Sequence, residues 1–153
     1  MQLFCDMDGV LADFDRHYFN LFGVRLTKGG NPGVWANLRK TPSFFDTIPP
    51  MSDALELWAR IEQYEPVILT GIPNKRDVPE AEANKVNWIH HYISFGAEVR
   101  CCRSQDKCLH ACPGDILIDD REKYKHLWID MGGTWITHHS AAETIAILDG
   151  MGL

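Results

Sequence analysis

Apolar residues along this chain form short runs, which alternate with longer segments where they recur every three or four positions. The short runs predict buried strands, because they lack helical spacing and end at polar or turn-forming residues. These runs lie at 3–5, 66–69, 97–101, 115–118 and 134–137. The longer segments predict helices at 53–63, 81–94, 105–111, 121–130 and 141–149.

Strands and helices that alternate in this way predict an α/β fold with a mainly parallel, Rossmann-like three-layer sheet of about five strands. The segment 14–50 departs from the alternation. It contains a predicted helix at 14–22, a Gly- and Pro-containing loop at 28–33, a short helix near 35–40 and many aromatic residues. We therefore predict one domain over 1–153, with a small helical cap at 14–50 inserted directly after the first strand.

The charge balance disfavours several classes of partner. Fifteen Lys and Arg against 21 Asp and Glu give a net charge of −6, which disfavours a surface that binds nucleic acid polymers. No apolar segment reaches the roughly 18 residues of a membrane span, and the first strand starts too early for a cleavable signal to precede it. These features predict a cytoplasmic protein without membrane contact, and they leave a homodimer open.

Cysteine usage bears on the cellular compartment and on metal binding. The chain contains Cys5, Cys101, Cys102, Cys108 and Cys112. An odd count without export features favours reduced thiols over a disulfide framework. The last four residues, with His110, raise the alternative of a zinc site, but no CxxC spacing occurs and they fall on two different predicted elements. Small buried apolar side chains are the favoured interpretation.

Polar residues follow four of the predicted strands. They are Asp6 and Asp8 after the first, Thr70 and Gly71 after the second, Lys107 beyond the third, and Asp119 and Asp120 after the fourth. Because the carboxyl ends of parallel strands meet at one edge of a sheet, we expect these residues to lie together. Carboxylates at positions 6 and 8 repel each other unless a cation or a shared proton relieves them. Mg²⁺ is the default hard metal for such oxygen ligands.

The same residues lie in four motifs that resemble those of the haloacid dehalogenase-type phosphohydrolases. The motifs are DMDGV at 6–10, VILTG at 67–71, SQDK at 104–107 and LIDD at 117–120. They occur in the family's order, each after a predicted strand, and they span nearly the whole chain. The resemblance implies the family's fold and a metal-dependent phosphoryl-transfer reaction.

The resemblance also implies a role for each residue. Asp6 is the nucleophile that forms an aspartyl-phosphate, and Asp8 is the acid/base that protonates the leaving oxygen and later deprotonates water. Mg²⁺ binds the Asp6 side chain, the Asp8 backbone carbonyl and the Asp119 side chain. Asp120 completes the water shell of the metal or orients Lys107. The implied phosphate ligands are Thr70, Gly71 and Lys107.

Several segments resemble more closely the 5'(3')-deoxyribonucleotidases of the cytosolic and mitochondrial type. They are DMDGVLADF, GVWAN, PSFFDTIPP, NKVNW and DILIDDRE. This resemblance implies that Phe14, Trp35 and Phe44 line a base and sugar pocket and that Lys85 reaches the phosphate. The chain departs from that family at Gly71, where a small hydroxyl residue is usual, and in having a shorter cap.

The leading interpretation is a Mg²⁺-dependent phosphomonoesterase that hydrolyses nucleoside 5'-monophosphates, with deoxynucleotides favoured. One alternative is a phosphatase of sugar phosphates or of another small phosphorylated metabolite. A different class of alternative is a phospho-accepting or binding domain, but the spacing of the two acids in DxD and the aromatic cap disfavour it. Two further groups of residues are predicted to be structural or surface residues: His90, His91, His138 and His139, and Trp58, Trp88, Trp128 and Trp135.

Overall fold

The computed structural model describes residues 1–27 and 31–153, and its centre is a sheet of five parallel strands. The strands are β1 (Leu3–Cys5), β2 (Val67–Gly71), β3 (Val99–Cys102), β4 (Ile116–Asp119) and β5 (Thr134–Thr137). Their order is β3-β2-β1-β4-β5, so β1 is central. The predicted parallel α/β sheet is therefore confirmed.

In the described residues, six α-helices and three 3-10 segments lie between or after the strands. The helices are α1 (Phe14–Phe22), α2 (Val34–Arg39), α3 (Ala54–Ile61), α4 (Ala81–Tyr92), α5 (Lys125–Asp130) and α6 (Ala141–Gly150). The 3-10 segments are Phe44–Asp46, Glu62–Tyr64 and Ser104–His110. Each predicted helix has a counterpart at its place in the chain.

Two of the predicted helices differ from the observed elements. The segment predicted at 105–111 is a 3-10 segment, and the helix predicted at 121–130 begins only at Lys125. The late start has a local cause. The Asp119 side chain accepts a hydrogen bond from Arg121 N at 2.8 Å, and this bond fixes a turn in the backbone directly after β4.

Side chains from the strands alternate between two packed faces of the sheet. On one face, Leu3 and Ile118 belong to a core that also contains residues of α3, α4 and α6. On the other face, Phe4 and Leu117 pack with Trp128 of α5, and the Phe4 and Trp128 ring centroids are 5.3 Å apart. The sheet is thus the middle of three layers, which explains why its strands are apolar on both faces.

The two ends of the predicted cap, segment 14–50, lie next to each other. Asp13 N donates to Pro49 O, and Met51 N donates to Leu11 O, both at 2.8 Å. Aromatic rings pack against one another inside the segment: Phe14, Tyr18, Phe22, Phe44 and Phe45. The predicted loop at 28–33 lies partly outside the described residues, and the boundaries of the cap as a unit stay a prediction.

The structure also describes the cysteines and the membrane-spanning potential of the helices. All five cysteines are free thiols. In the described part of the chain, Cys101, Cys102, Cys108 and Cys112 do not form a group that could hold a metal ion. No helix within 1–27 and 31–153 is long and apolar enough to span a membrane.

Candidate active site

Asp6 lies at the carboxyl end of the central strand. Its backbone N–H donates to Ile118 O at 2.8 Å, which extends the pairing of β1 with β4 by one residue. Its side-chain Oδ1 accepts from Met7 N at 2.8 Å and lies 3.0 Å from Lys107 Nζ. The carboxylate is buried but borders a cleft. Position and orientation are therefore fixed before any substrate binds.

Lys107 joins two of the carboxylates predicted at this edge. Its ammonium donates to Asp119 Oδ2 at 2.7 Å and also contacts Asp6. Burial alone would lower the pKa of Lys107, but the charges of Asp6 and Asp119 outweigh burial and raise it. Lys107 therefore stays a cation beside Asp6. It does not contact Asp120, whose predicted role in orienting it has no counterpart in this arrangement.

Three carboxylates form a group that fits a metal ion. One oxygen from each of Asp6, Asp119 and Asp120 lies within 4.8 Å of the others, and in the described residues this is the one such group. Burial, followed by the charges of Asp6 and Asp119, raises the pKa of Asp120 to about 7. Its Oδ1 is buried, and no partner for it occurs in residues 1–27 or 31–153. A hard divalent cation would relieve both the repulsion and the unpaired oxygen.

Gly9 creates the space that Asp120 occupies. A Cβ atom at this position would lie 2.4 Å from Asp120 Cγ, and the Gly9 φ angle of +80° is one that side chains rarely adopt. Two structural reasons thus explain the glycine of the DMDGV motif. It turns the chain after Asp8, and it lets Asp120 approach Asp6.

Asp8 is held by a lysine from a neighbouring helix. Lys85 of α4 is fully buried, and its Nζ donates to Asp8 Oδ2 at 2.5 Å, to Gly71 O at 2.7 Å and to Thr70 Oγ1 at 2.9 Å. Burial raises the pKa of Asp8 above its ordinary value, although the Lys85 charge opposes this shift. An ammonium has three hydrogens, so none is left for the phosphate. This arrangement differs from the predicted phosphate contact of Lys85, because its hydrogens are directed to Asp8, Thr70 and Gly71.

Thr70 and Gly71 close the end of β2. Thr70 is fully buried and accepts from Lys85, while Gly71 pairs with Cys102 of β3. A Cβ atom at Gly71 would lie 2.4 Å from the Ser104 hydroxyl. The hydroxyl of Ser104 therefore fills the space where a side chain at position 71 would stand.

A cleft of about 510 Å³ opens beside these groups. Its wall includes Asp6, Lys107 and Asp119, together with Trp35 of α2. Trp35 is 47% exposed, as a ligand platform requires. Phe14 and Phe44 are instead buried in the cap, and Phe44 is only 1% exposed because it packs against Phe14 with ring centroids 5.2 Å apart. Of the three residues predicted to line a base and sugar pocket, Trp35 alone lines this cleft.

Several residues on the cleft wall were not predicted from the sequence. They are Arg103, Ser104, Arg121, Lys123, Tyr124 and Trp135. Trp135 packs against the cluster that contains Leu117 of β4 and Trp128 of α5, in line with the structural role predicted for it, and it also borders the cleft. The other five lie within four residues of Lys107 or of Asp120 in the chain, and that proximity was the signal available. Their side-chain directions depend on turns that follow β3 and β4, which apolar patterning does not specify.

The comparisons with known proteins show similarity in fold. No protein-family model matches the sequence, and no curated protein matches it. A hydrolase from Streptococcus pneumoniae TIGR4 has a similar structure, with 14% identity over 97% of both chains and a TM-score of 0.55. A HAD family hydrolase from Deinococcus radiodurans R1, whose structure contains phosphate and sodium, is 13% identical over 96% of this chain and 87% of its own, with a TM-score of 0.50.

Proposed function

We propose that the protein is a metal-dependent phosphomonoesterase of the haloacid dehalogenase type. The observation that carries this proposal is the surrounding of Asp6 at the end of the central strand. Its carboxylate has the Lys107 ammonium 3.0 Å away and belongs to a group with Asp119 and Asp120 that fits a metal ion. The fold of the two similar hydrolase structures supports the same proposal.

In the first step, an Asp6 carboxylate oxygen attacks phosphorus. A bond between that oxygen and phosphorus forms while the bond between phosphorus and the ester oxygen breaks, which gives an aspartyl-phosphate and an alcohol. The leaving oxygen takes a proton from Asp8, whose Oδ1 is buried and has no partner in the described residues. Lys107 supplies positive charge at the phosphoryl oxygens.

In the second step, water hydrolyses the aspartyl-phosphate. The water oxygen attacks phosphorus and transfers a proton to Asp8. The bond between phosphorus and the Asp6 oxygen breaks, which releases Asp6 as a carboxylate. The residues that would hold Mg²⁺ are Asp6, Asp119 and Asp120, and a bound Mg²⁺ would neutralise charge on the phosphate oxygens. Both steps use residues that lie at one edge of the sheet.

For the substrate, we propose a nucleoside 5'-monophosphate. Trp35, Tyr124 and Trp135 line the cleft that holds Asp6, and flat aromatic faces gain about 1–3 kcal/mol per stacked base. A sugar phosphate is the second candidate. The burial of Phe14 and Phe44 favours it, because two of the three aromatic residues expected to contact a base do not line the cleft.

A phosphate-release screen of deoxynucleotides, ribonucleotides and sugar phosphates with Mg²⁺ tests this proposal. The wild-type protein should release phosphate, and Asp6→Asn should not, because an amide cannot supply the attacking oxygen. Borohydride reduction of the intermediate should label Asp6. The control is Asp130→Asn, which changes an exposed carboxylate at the end of α5. Activity that survives in Asp6→Asn, or label on another residue, would contradict the mechanism.

A further inference from the structure

Three cationic side chains line the cleft outside the catalytic centre. They are Arg103, Arg121 and Lys123, and all three are exposed. The protein as a whole carries a net charge of −6. A group of cations beside the nucleophile therefore reverses the charge of the molecule at the place where a substrate enters.

These cations have little anionic compensation within the protein. In the part of the chain that the structure describes, Arg103 and Lys123 form no ion pair, and Arg121 Nε is 4.0 Å from Asp120 Oδ2. Asp77 is the one carboxylate on the cleft wall besides Asp6 and Asp119 in the described residues. Its Oδ1 lies 3.4 Å from Arg39 Nε, so it is already paired. The charges of Arg103 and Lys123 are therefore available to a ligand, while that of Arg121 is shared with Asp120.

The cations reach the cleft from two different loops. Arg103 directly precedes the 3-10 segment that carries Lys107, whereas Arg121 and Lys123 follow Asp119 at the end of β4. Because β1 separates β4 from β2 and β3 in the sheet, the two loops approach the cleft from opposite sides of Asp6. Lys123 also lies over the Tyr124 ring, with Nζ 5.1 Å from the ring centroid. This cation–π contact stabilises the position of the Lys123 side chain beside the cleft.

We propose that Arg103, Arg121 and Lys123 form a second anion-binding site, which narrows the proposed nucleotide or sugar-phosphate substrates to those that carry a second anionic group. This inference rests on the proposed function, because it requires the scissile phosphate at Asp6. A cleft of about 510 Å³ holds a whole small ligand rather than one phosphate. Guanidinium groups bind carboxylate and phosphate with the same paired geometry, so the second group is one of these two.

Matched substrate pairs test the proposal. One pair is deoxyadenosine 5'-monophosphate and deoxyadenosine 3',5'-bisphosphate, and the other is glycerol 3-phosphate and 3-phosphoglycerate. At low ionic strength, kcat/KM should be about fivefold to twentyfold higher for the more anionic member of at least one pair, since each exposed charge contact contributes a factor of about two to five. The pair that responds identifies phosphate or carboxylate. The preference should weaken as salt is added.

Variants assign the preference to these residues. In Arg103→Gln/Lys123→Gln, the ratio of kcat/KM within the responding pair should fall by about threefold or more, and Arg121 supplies the preference that remains. Lys75→Gln is the matched control, because Lys75 is exposed and paired with Glu82 at 3.2 Å, and it is not among the residues that line the cleft. Equal hydrolysis within both pairs by the wild-type protein, or an unchanged ratio in the double variant, would overturn the proposal.

Calorimetric binding to Asp6→Asn separates this inference from the proposed function. The same substrate pairs are titrated into this variant with Mg²⁺ present, so no turnover is required. Tighter binding of the more anionic member by about fivefold or more supports the second site, even if the wild-type protein hydrolyses none of the compounds and the phosphatase proposal fails. Equal affinities within both pairs would reject the second site, whatever the activity.

Discussion

Electrostatic repulsion among single residues is the main feature of the site when no cation is bound. Asp6, Asp119 and Asp120 lie together, and within residues 1–27 and 31–153 Lys107 is the one cation in direct contact with two of them. The raised pKa of Asp120, about 7, expresses this repulsion together with burial. Between about pH 4 and pH 7 the folded protein therefore keeps a proton that the unfolded chain has lost. Its free energy of unfolding falls as pH rises through this window.

Replacing Asp120 should show directly how much the repulsion among these carboxylates lowers the free energy of unfolding. Asp120→Asn should raise the stability of the metal-free protein at pH 8 by about 2 kcal/mol, or roughly 5 °C in Tm, because one repelling charge is gone. It should also reduce the Tm increase that Mg²⁺ produces in the wild-type protein. Thermal unfolding with and without Mg²⁺ measures both effects, with Asp130→Asn as control. A lower Tm for metal-free Asp120→Asn would argue against repulsion at this site.

A buried histidine should make stability depend on pH in the opposite direction. His138 is buried, its Nδ1 shares a 2.8 Å hydrogen bond with Thr144 Oγ1, and burial lowers its pKa below 6.5. Below about pH 6.5 the imidazole of His138 binds a proton in the unfolded chain but not in the folded protein. The free energy of unfolding should therefore fall with decreasing pH, by up to about 1.4 kcal/mol per unit.

Denaturant unfolding between about pH 5 and pH 7.5 tests the role of His138. The free energy of unfolding of the wild-type protein minus that of His138→Gln should fall as pH decreases below about 6.5, because the opposite contribution of Asp120 is common to both proteins. His126→Gln, which changes an exposed ring, serves as control. The assignment to His138 fails if both variants keep the slope of the wild-type protein.

At the scale of elements, helix α4 links the sheet edge to the cap. Its Lys85 binds Asp8 and the end of β2, and Lys85 Nζ lies 4.8 Å from the centroid of the Phe45 ring. One oxygen of Asp8 is thereby fixed by Lys85, and the other is left without a partner in the described residues. This geometry makes Lys85 a positioning residue for Asp8.

Changing Lys85 should affect chemistry more than binding. Lys85→Met should lower kcat by about 10²-fold for alkyl phosphates, because Asp8 loses its orientation, and by less for p-nitrophenyl phosphate, whose leaving group needs less protonation. Lys85→Arg keeps the charge and should retain part of the activity. Steady-state kinetics on both substrates measures the difference. An increase in KM alone, equal for all substrates, would instead support the phosphate contact predicted from the sequence.

Sequence patterning predicted the elements better than the contacts between them. Buried strands are predictable because both faces of a parallel sheet are apolar, which leaves short runs such as those of β1 and β4. The late start of α5 was not predictable from periodicity, which does not indicate that the Asp119 side chain accepts a hydrogen bond from Arg121 N directly after β4. Lys85 shares a helix with apolar residues, and only the folded chain shows that Asp8 is its partner.

At the scale of the whole molecule, the cap and the sheet share one core. Phe14 and Phe44 of the cap belong to the same cluster of buried residues as Leu3 of β1. Trp88 Nε1 of α4 donates to Ile48 O at 2.7 Å, which adds a polar connection. Trp35 differs from Phe14 and Phe44, because it lies on the cleft wall and is half exposed. The cap therefore contributes aromatic residues of two kinds, one to stability and one to the cleft.

Two alanine variants should separate these contributions. Trp35→Ala should lower kcat/KM for a deoxynucleoside 5'-monophosphate relative to p-nitrophenyl phosphate, because it removes a stacking face. The loss should correspond to about 1–3 kcal/mol of transition-state stabilisation, with little change in Tm. Phe44→Ala should instead cost about 3–5 kcal/mol of stability through the cavity it creates, with parallel losses on both substrates. Kinetics on both substrates and thermal unfolding distinguish the two cases. If Trp35→Ala reduces both activities equally, the nucleotide should be abandoned as substrate in favour of a sugar phosphate.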